Sequence, residues 1–267
     1  MLRITPAAFI SLLFLFVSCS DPKTRALKKL SSRGIPPEAI QVPLAIANND
    51  DEALEQLLIC GVHANHHHAD GSSPLQMACA TSNFRAVSLL LEKGSGFDIS
   101  QESELHPSAL AYAAAKADIP IAKALIARKA NLDTLSITRE PLLVWCIAHG
   151  RYIIAESLIH AGADLQRINQ KGLSALDVAI EKQQRHLVEL LLSKGATSGK
   201  PEKTSSHQPI LHRCIELEWG DLIPLLVKQG VDINVVNAAG KSAVDIALDS
   251  GKTEQFHTLV KLGASSG

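Results

Sequence analysis

Four histidines within six positions, His63, His66, His67 and His68, followed by Asp70, form the segment of this chain whose residue types could hold a metal ion. Imidazole is the commonest side-chain ligand for zinc, copper and nickel, and a turn can bring alternate residues to one side. No cofactor is expected; were a metal held, zinc, copper or nickel, His66 and His68 are the pair that would ligate it. A neutral solvated finger is the leading reading of these residues, and a pH-sensitive contact surface the next, since unperturbed imidazoles titrate near neutrality. Consecutive histidines on a short hairpin point in different directions, which counts against ligation. Elsewhere there is no glycine-rich phosphate loop, no His-Glu-x-x-His, no Gly-x-Ser-x-Gly and no paired-cysteine zinc spacing. No catalytic residue and no small-molecule substrate is assigned, and the chain is expected not to be an enzyme.

A second chemistry is covalent. One early charge, Arg3, precedes an apolar stretch from Pro6 to Val17, about 12 residues and so too short to cross a bilayer, which needs about 20. Such a stretch has the make-up of a secretory signal. Its end, Phe16-Val17-Ser18-Cys19, resembles a bacterial lipobox, although Phe16 stands where leucine is usual. The resemblance implies a signal over residues 1–18, lipidation of Cys19, and a protein anchored to a membrane of the bacterial cell envelope, facing the periplasm or exterior. Ordinary signal cleavage nearby, giving a soluble periplasmic or secreted protein, is the alternative. Residues 19–34 read as a polar basic linker, with Lys23, Arg25, Lys28, Lys29 and Arg33 against Asp21.

The rest of the chain is organised by repetition. An apolar residue followed three positions later by Ala or Cys recurs at Val42/Ala45, Leu75/Ala78, Leu110/Ala113, Leu143/Cys146, Leu176/Ala179, Leu211/Cys214 and Val244/Ala247. Fifteen residues after each anchor stands a leucine: Leu57, Leu90, Leu125, Leu158, Leu191, Leu226 and Leu259. Four further on comes glycine, except at Lys129. A glycine just past a helix-compatible run supplies the left-handed conformation that ends a helix. Each unit is thus two short helices and a turn, repeated at a period near 33. Small residues recur because stacked helix pairs bring backbones close. Cys79, Cys146 and Cys214 are accordingly expected to be buried packing residues, and Cys60 to be partly exposed.

Ser73-Pro74-Leu75-Gln76-Met77-Ala78 and Leu158-Ile159-His160-Ala161-Gly162-Ala163-Asp164 resemble the start and end of the ankyrin repeat. The resemblance covers residues 35–264 and implies an all-α solenoid of about seven helix-turn-helix repeats, with residues 265–267 as a tail. The signature histidine survives only at His212. Two-residue insertions fall around Ser95-Gly96-Phe97 and within residues 198–206, and Trp219, Gly220 and Pro224 make the sixth repeat irregular.

Ankyrin-like arrays are generally put to recognising another protein, on finger tips and the exposed side of the first helices. In this sequence those positions are His67, His68 and Asp70; Glu102 and Glu104; Leu135 and Ile137; Ile168, Gln170, Lys171 and Leu173; and Val235 and Val236, with His149 among those on the helices. Leu135, Ile137, Ile168 and Leu173 are apolar where solvated tips are usually polar, which marks either a contact site or side chains folded back onto neighbouring fingers. Trp145 is expected in the core. A formal net charge of −1 and the lack of a basic stripe in the repeats argue against nucleic acid. An exported metal-binding module built on the histidines, and a secreted host-directed effector, are the alternatives to a tethered interaction scaffold.

Overall fold

The computed structural model describes residues 21–93, 99–103, 105–199 and 208–265. Cys19, Glu104, the insertion around Ser95-Gly96-Phe97 and most of the second insertion lie outside the described residues. Regular structure among the described residues is helical, apart from three isolated antiparallel bridges, Leu135 with Pro141, Ile168 with Ser174 and Val236 with Ser242. The chain divides after Ala130 into two compact units.

The first unit begins with α1 (Pro22–Ser32), continues with two helix pairs, α2 (Gln41–Ala47) and α3 (Asp51–Ile59), α4 (Pro74–Ala80) and α5 (Phe84–Lys93), and ends with a third, α6 (Ala109–Lys116) and α7 (Ile119–Ala127). Inner helices α2, α4 and α6 pack side by side, as do outer helices α3, α5 and α7. The second unit holds four pairs: α8 (Leu142–Ala148) and α9 (Tyr152–Ala161), α10 (Ala175–Glu181) and α11 (Arg185–Ser193), α12 (Ile210–Glu216) and α13 (Ile223–Lys228), α14 (Ala243–Asp249) and α15 (Thr253–Lys261). Here α8, α10, α12 and α14 pack in succession.

Helix α1 corrects the expectation of a linker at residues 19–34. Asp21 caps its first turn, accepting from the Thr24 N–H at 3.2 Å, and Pro22 occupies the first turn, where a missing N–H costs nothing. Ala26 and Leu30, four apart on one face, are buried as the helix packs on α3. Lys29 lies 3.5 Å from Glu52, and Arg33 forks onto Asp50, so two of the five basic charges are paired within the fold. Cys60 is corrected with it. Rather than partly exposed, it is buried, with α1 close enough that Lys23 acts on its thiol.

The leucine column is the centre of each pair, and all seven members are buried. The small column beside it is buried too, Cys146 and Cys214 completely, and burial pushes both thiols up to about 12. Inner helices start at serine caps where the sequence allows. Ser73, Ser174 and Ser242 form capping boxes with Gln76, Asp177 and Asp245. In the sixth repeat a 3₁₀ turn at Gly220–Leu222 precedes α13, which places Pro224 in the helix's first turn rather than its interior.

The turn inside each pair was not read from the sequence. Asn49, Ser82, Ala117, Gly150, Gln183, Glu218 and Gly251 occupy one equivalent position, all with φ between 52° and 74°. Only two of them are glycine. Ala117, at φ 58° and ψ 30°, has no polar side chain to compensate the left-handed backbone. Ala117→Gly is therefore expected to stabilise the protein by about 0.5–1 kcal/mol, read as a raised urea midpoint; a lowered midpoint would contradict this.

Candidate functional site

The fingers that join successive pairs are built by one recurring device, a polar side chain that folds onto the backbone of its own turn. Asn169 Oδ1 accepts from the N–H groups of Lys171 and Leu173 at 2.9 and 3.0 Å, and Asn237 Oδ1 accepts from Ala239 and Lys241 at 2.9 and 3.1 Å. Ser136 Oγ does the same for Thr138 and Glu140, both at 3.2 Å. These are the local bonds that let Asn and Ser close tight turns. The neighbouring side chains are thereby fixed in direction. Ile137 and Ile168 stand out, 45% and 47% exposed, with Val236 equally so on the last finger. Leu135 and Val235 are half-buried. Gln170 and Lys171 are exposed.

Leu173 corrects its assignment to the contact surface. It is buried, because Asn169 and Leu173 are paired across the turn, N–H to carbonyl at 2.9 Å, at the point where the chain enters α10. Adjacent fingers are also clasped at their bases. Asp133 Oδ1 accepts from the Asp164 N–H at 2.8 Å, and Arg167 donates to the Asp133 carbonyl.

On α8, Trp145 is buried as expected and His149 is exposed. The His149 ring stacks on the indole at 4.3 Å between centroids, and its Nδ1 lies 2.9 Å from the Trp145 carbonyl oxygen. His149 thus presents a fixed imidazole edge at the surface rather than a mobile one.

In the first unit the histidine finger is spent on local contacts. His67 Nε2 lies within hydrogen-bond distance of the Gln101 side-chain amide, and His68 Nδ1 lies 3.3 Å from Asp70 Oδ1. Asp70 accepts from the Ser72 hydroxyl and N–H at 2.6 and 2.8 Å, and chiefly these bonds hold its carboxyl down to about 2. His106, from the next finger, meets the Asp70 carbonyl at 2.8 Å. His66 and Glu102 are exposed. Among the described residues no group of three His, Cys, Asp or Glu side chains is placed to hold a metal ion.

One set of residues was missed in the sequence. In three repeats the side chain one position after the anchor reaches the following finger. Gln76 Nε2 donates to the carbonyls of Gln101, His106 and Pro107, at 3.1, 3.4 and 2.9 Å. His212 Nε2 donates to the Lys241 carbonyl at 2.8 Å. Asp177 reverses the polarity, accepting from Ser198 Oγ at 2.6 Å and the Gly199 N–H at 2.7 Å. The signal was the histidine of the repeat signature, which survives in its own form only at His212.

Seven helix pairs with clasped hairpin fingers agree with a match to the family model for ankyrin repeats, over residues 43–136 and 110–201, together more than half of the chain. The chain belongs to the ankyrin-repeat family. It is 26% identical over 204 residues to the mouse B-cell lymphoma 3 protein homolog, covering 74% of this chain and 45% of that protein. It is 25% identical over 209 residues to the phosphocholine transferase AnkX of Legionella pneumophila, covering 72% and 22%. The chain thus spans less than half the length of these relatives. An ankyrin repeat domain from Acinetobacter baumannii superposes with a TM-score of 0.59 at 24% identity, covering 72% of this chain and 98% of that one. The human ASB11 ankyrin repeat domain gives 0.53 at 23% identity, covering 82% and 96%. Both establish the fold. Ankyrin repeats typically mediate protein–protein interaction, and the fold is generally a non-enzymatic module. Burial holds the Cys146 and Cys214 thiols in their protonated form near neutral pH.

Proposed function

We propose that this chain is a non-enzymatic scaffold or adaptor that recognises another protein, exported and held at a bacterial envelope membrane by lipid on Cys19. The observation that carries the recognition reading is the exposure of Ile137 and Ile168 on successive fingers whose backbones are locked by Ser136 and Asn169. Rigid apolar tips lose little conformational freedom on binding, so their burial is retained as affinity. His149, Gln170 and Lys171 add polar contacts in the same unit. The tether rests on the residues before Cys19 alone. Each buried methylene contributes roughly 0.8 kcal/mol, so two or more acyl chains hold a protein on a membrane.

Cross-linked co-purification from native envelopes tests both parts. The wild-type chain is expected to bring down a partner that Ile137→Asp/Ile168→Asp loses at least about tenfold, with unchanged circular dichroism. Equal recovery by the two chains would refute the finger assignment. Intact mass of the purified chain is expected to show acyl groups on Cys19; an unmodified Cys19 in the envelope fraction would refute the tether.

A further inference from the structure

On the inner helices, two positions three residues apart lie on one helical face and change character along the chain. In α2, α4 and α6 these positions hold Leu44 and Ala47, Met77 and Ala80, Tyr112 and Ala115, each exposed or half-buried. In α8 they hold Trp145 and Ala148, whereas in α10, α12 and α14 the second of them is charged, Glu181, Glu216 and Asp249. Because α2 packs on α4 and α4 on α6, the first unit carries an uncharged apolar face two rows wide across three helices, one row large and one row small. Leu44 alone is 40% exposed. An exposed apolar face with a charged border is a contact-site signal.

The border is charged unequally. Asp70 and Glu102 carry exposed carboxylates on the finger side, and Lys116 stands at the end of α6. Asp70 remains anionic through any physiological pH, and its charge reaches the face itself: it adds to burial in holding the Tyr112 phenol above its ordinary value.

We propose that this face receives an amphipathic α-helix of a partner protein, laid across α2, α4 and α6 with a basic flank towards Asp70 and Glu102, resting on the recognition function proposed above. Spacing selects a helix. Packed helices lie about 8–10 Å apart. An α-helix returns to the same face every seven residues, about 10.5 Å, and so keeps one side chain in step with each inner helix. A strand returns every two residues, about 6.7 Å, and falls out of step at once. The width agrees as well, since the apolar stripe of an amphipathic helix is two rows wide, at i and i+3 or i+4. Met77, unbranched and polarizable, adapts to whatever side chain sits at the centre.

Fluorescence anisotropy of the full chain with a designed peptide tests this. The probe is a helix of about 16 residues, roughly 24 Å long, with leucines on one stripe, lysines on one flank and glutamates on the other. A control peptide of the same composition has its helical period broken, and a second has its flank charges exchanged. The period-broken control is expected to bind at least about tenfold more weakly, and the flank-exchanged control several-fold more weakly. Ala80→Arg, a helix-compatible change that fills the small row, is expected to weaken the designed helix at least about tenfold. Met77→Glu is expected to do the same, so that a folding defect in either variant leaves the other to decide. Ile153→Asp, 51% exposed on the outer helix α9, is expected to bind the peptide as the wild type does. Equal binding of the designed helix and the period-broken control, no binding of either, or full affinity in folded Ala80→Arg or Met77→Glu would overturn the proposal. Loss of peptide binding in folded Ile153→Asp would overturn it too. Failure of the peptide while envelope partner capture still depends on Ile137 and Ile168 overturns this contact alone and leaves the recognition function standing.

Discussion

Replacing Leu158 by alanine is expected to lower the unfolding free energy by roughly 2–5 kcal/mol. The leucine lies on α9 and has no exposed surface. Cys146 on the paired helix α8 is equally buried, and α9 packs on both α8 and α11, so truncation opens a cavity between packed elements. Repeat architectures draw stability from nearest-neighbour contacts, so a cavity in this pair also weakens its junction with the pair that follows. Urea denaturation followed by circular dichroism is the measurement, with Val260→Ala as control. Val260 is exposed on α15, and its truncation is expected to cost less than about 1 kcal/mol. Equal losses in the two variants would mean that the leucine column is not the packed centre of each pair.

The second large effect is expected at His212. Its ring is wholly buried, Nε2 donates to the Lys241 carbonyl, and Nδ1 has no partner. Burial therefore pushes the imidazole below its ordinary value of 6.5, against the opposing pull of the Lys241 bond and of Glu216 and Asp245. His212→Ala removes the ring and strands the carbonyl, an expected loss of about 2–4 kcal/mol. The sign of the pH dependence follows from the same burial. With the folded value depressed, the unfolded chain binds the proton first, so stability is fully present above about 6.5 and falls as pH drops below it, levelling once the folded form also protonates. His212→Gln keeps an N–H donor, the solution that Gln76 already uses in the first unit. It is expected to lose less than His212→Ala and to flatten the decline in urea midpoint between about pH 6.5 and 5. An unchanged decline in His212→Gln would show that other groups set the acid sensitivity.

The parts of this fold that were legible in the sequence are those fixed by burial. The leucine and small-residue columns have one permitted size at each level of the stack, so they recur as the same few residue types. The finger clasps did not show themselves, because several chemistries satisfy one backbone group. Gln76 and His212 donate to carbonyls where Asp177 accepts from an N–H, and three unlike residues do not align by eye. The left-handed turn within each pair was hidden for the same reason, since Asn, Ser, Ala, Gln and Glu all adopt it beside two glycines. Helix α1 reads as a linker in the sequence because its charge dominates its composition, while the residues it buries are only Ala26 and Leu30. At the candidate surface, four apolar finger residues looked equivalent. Which of them faces out was decided by turn geometry, in which Asn169 ties Leu173 inwards and leaves Ile168 exposed.

Site-specific photo-cross-linking tests the central claim most directly. A benzophenone side chain is placed at position 168, on the finger, or at position 153, where Ile153 is 51% exposed on outer helix α9 and serves as an equally apolar control. Irradiation of intact envelopes is expected to give a discrete adduct from position 168 and none from position 153. Adducts from position 153 alone, or equally from both, would contradict recognition through the fingers.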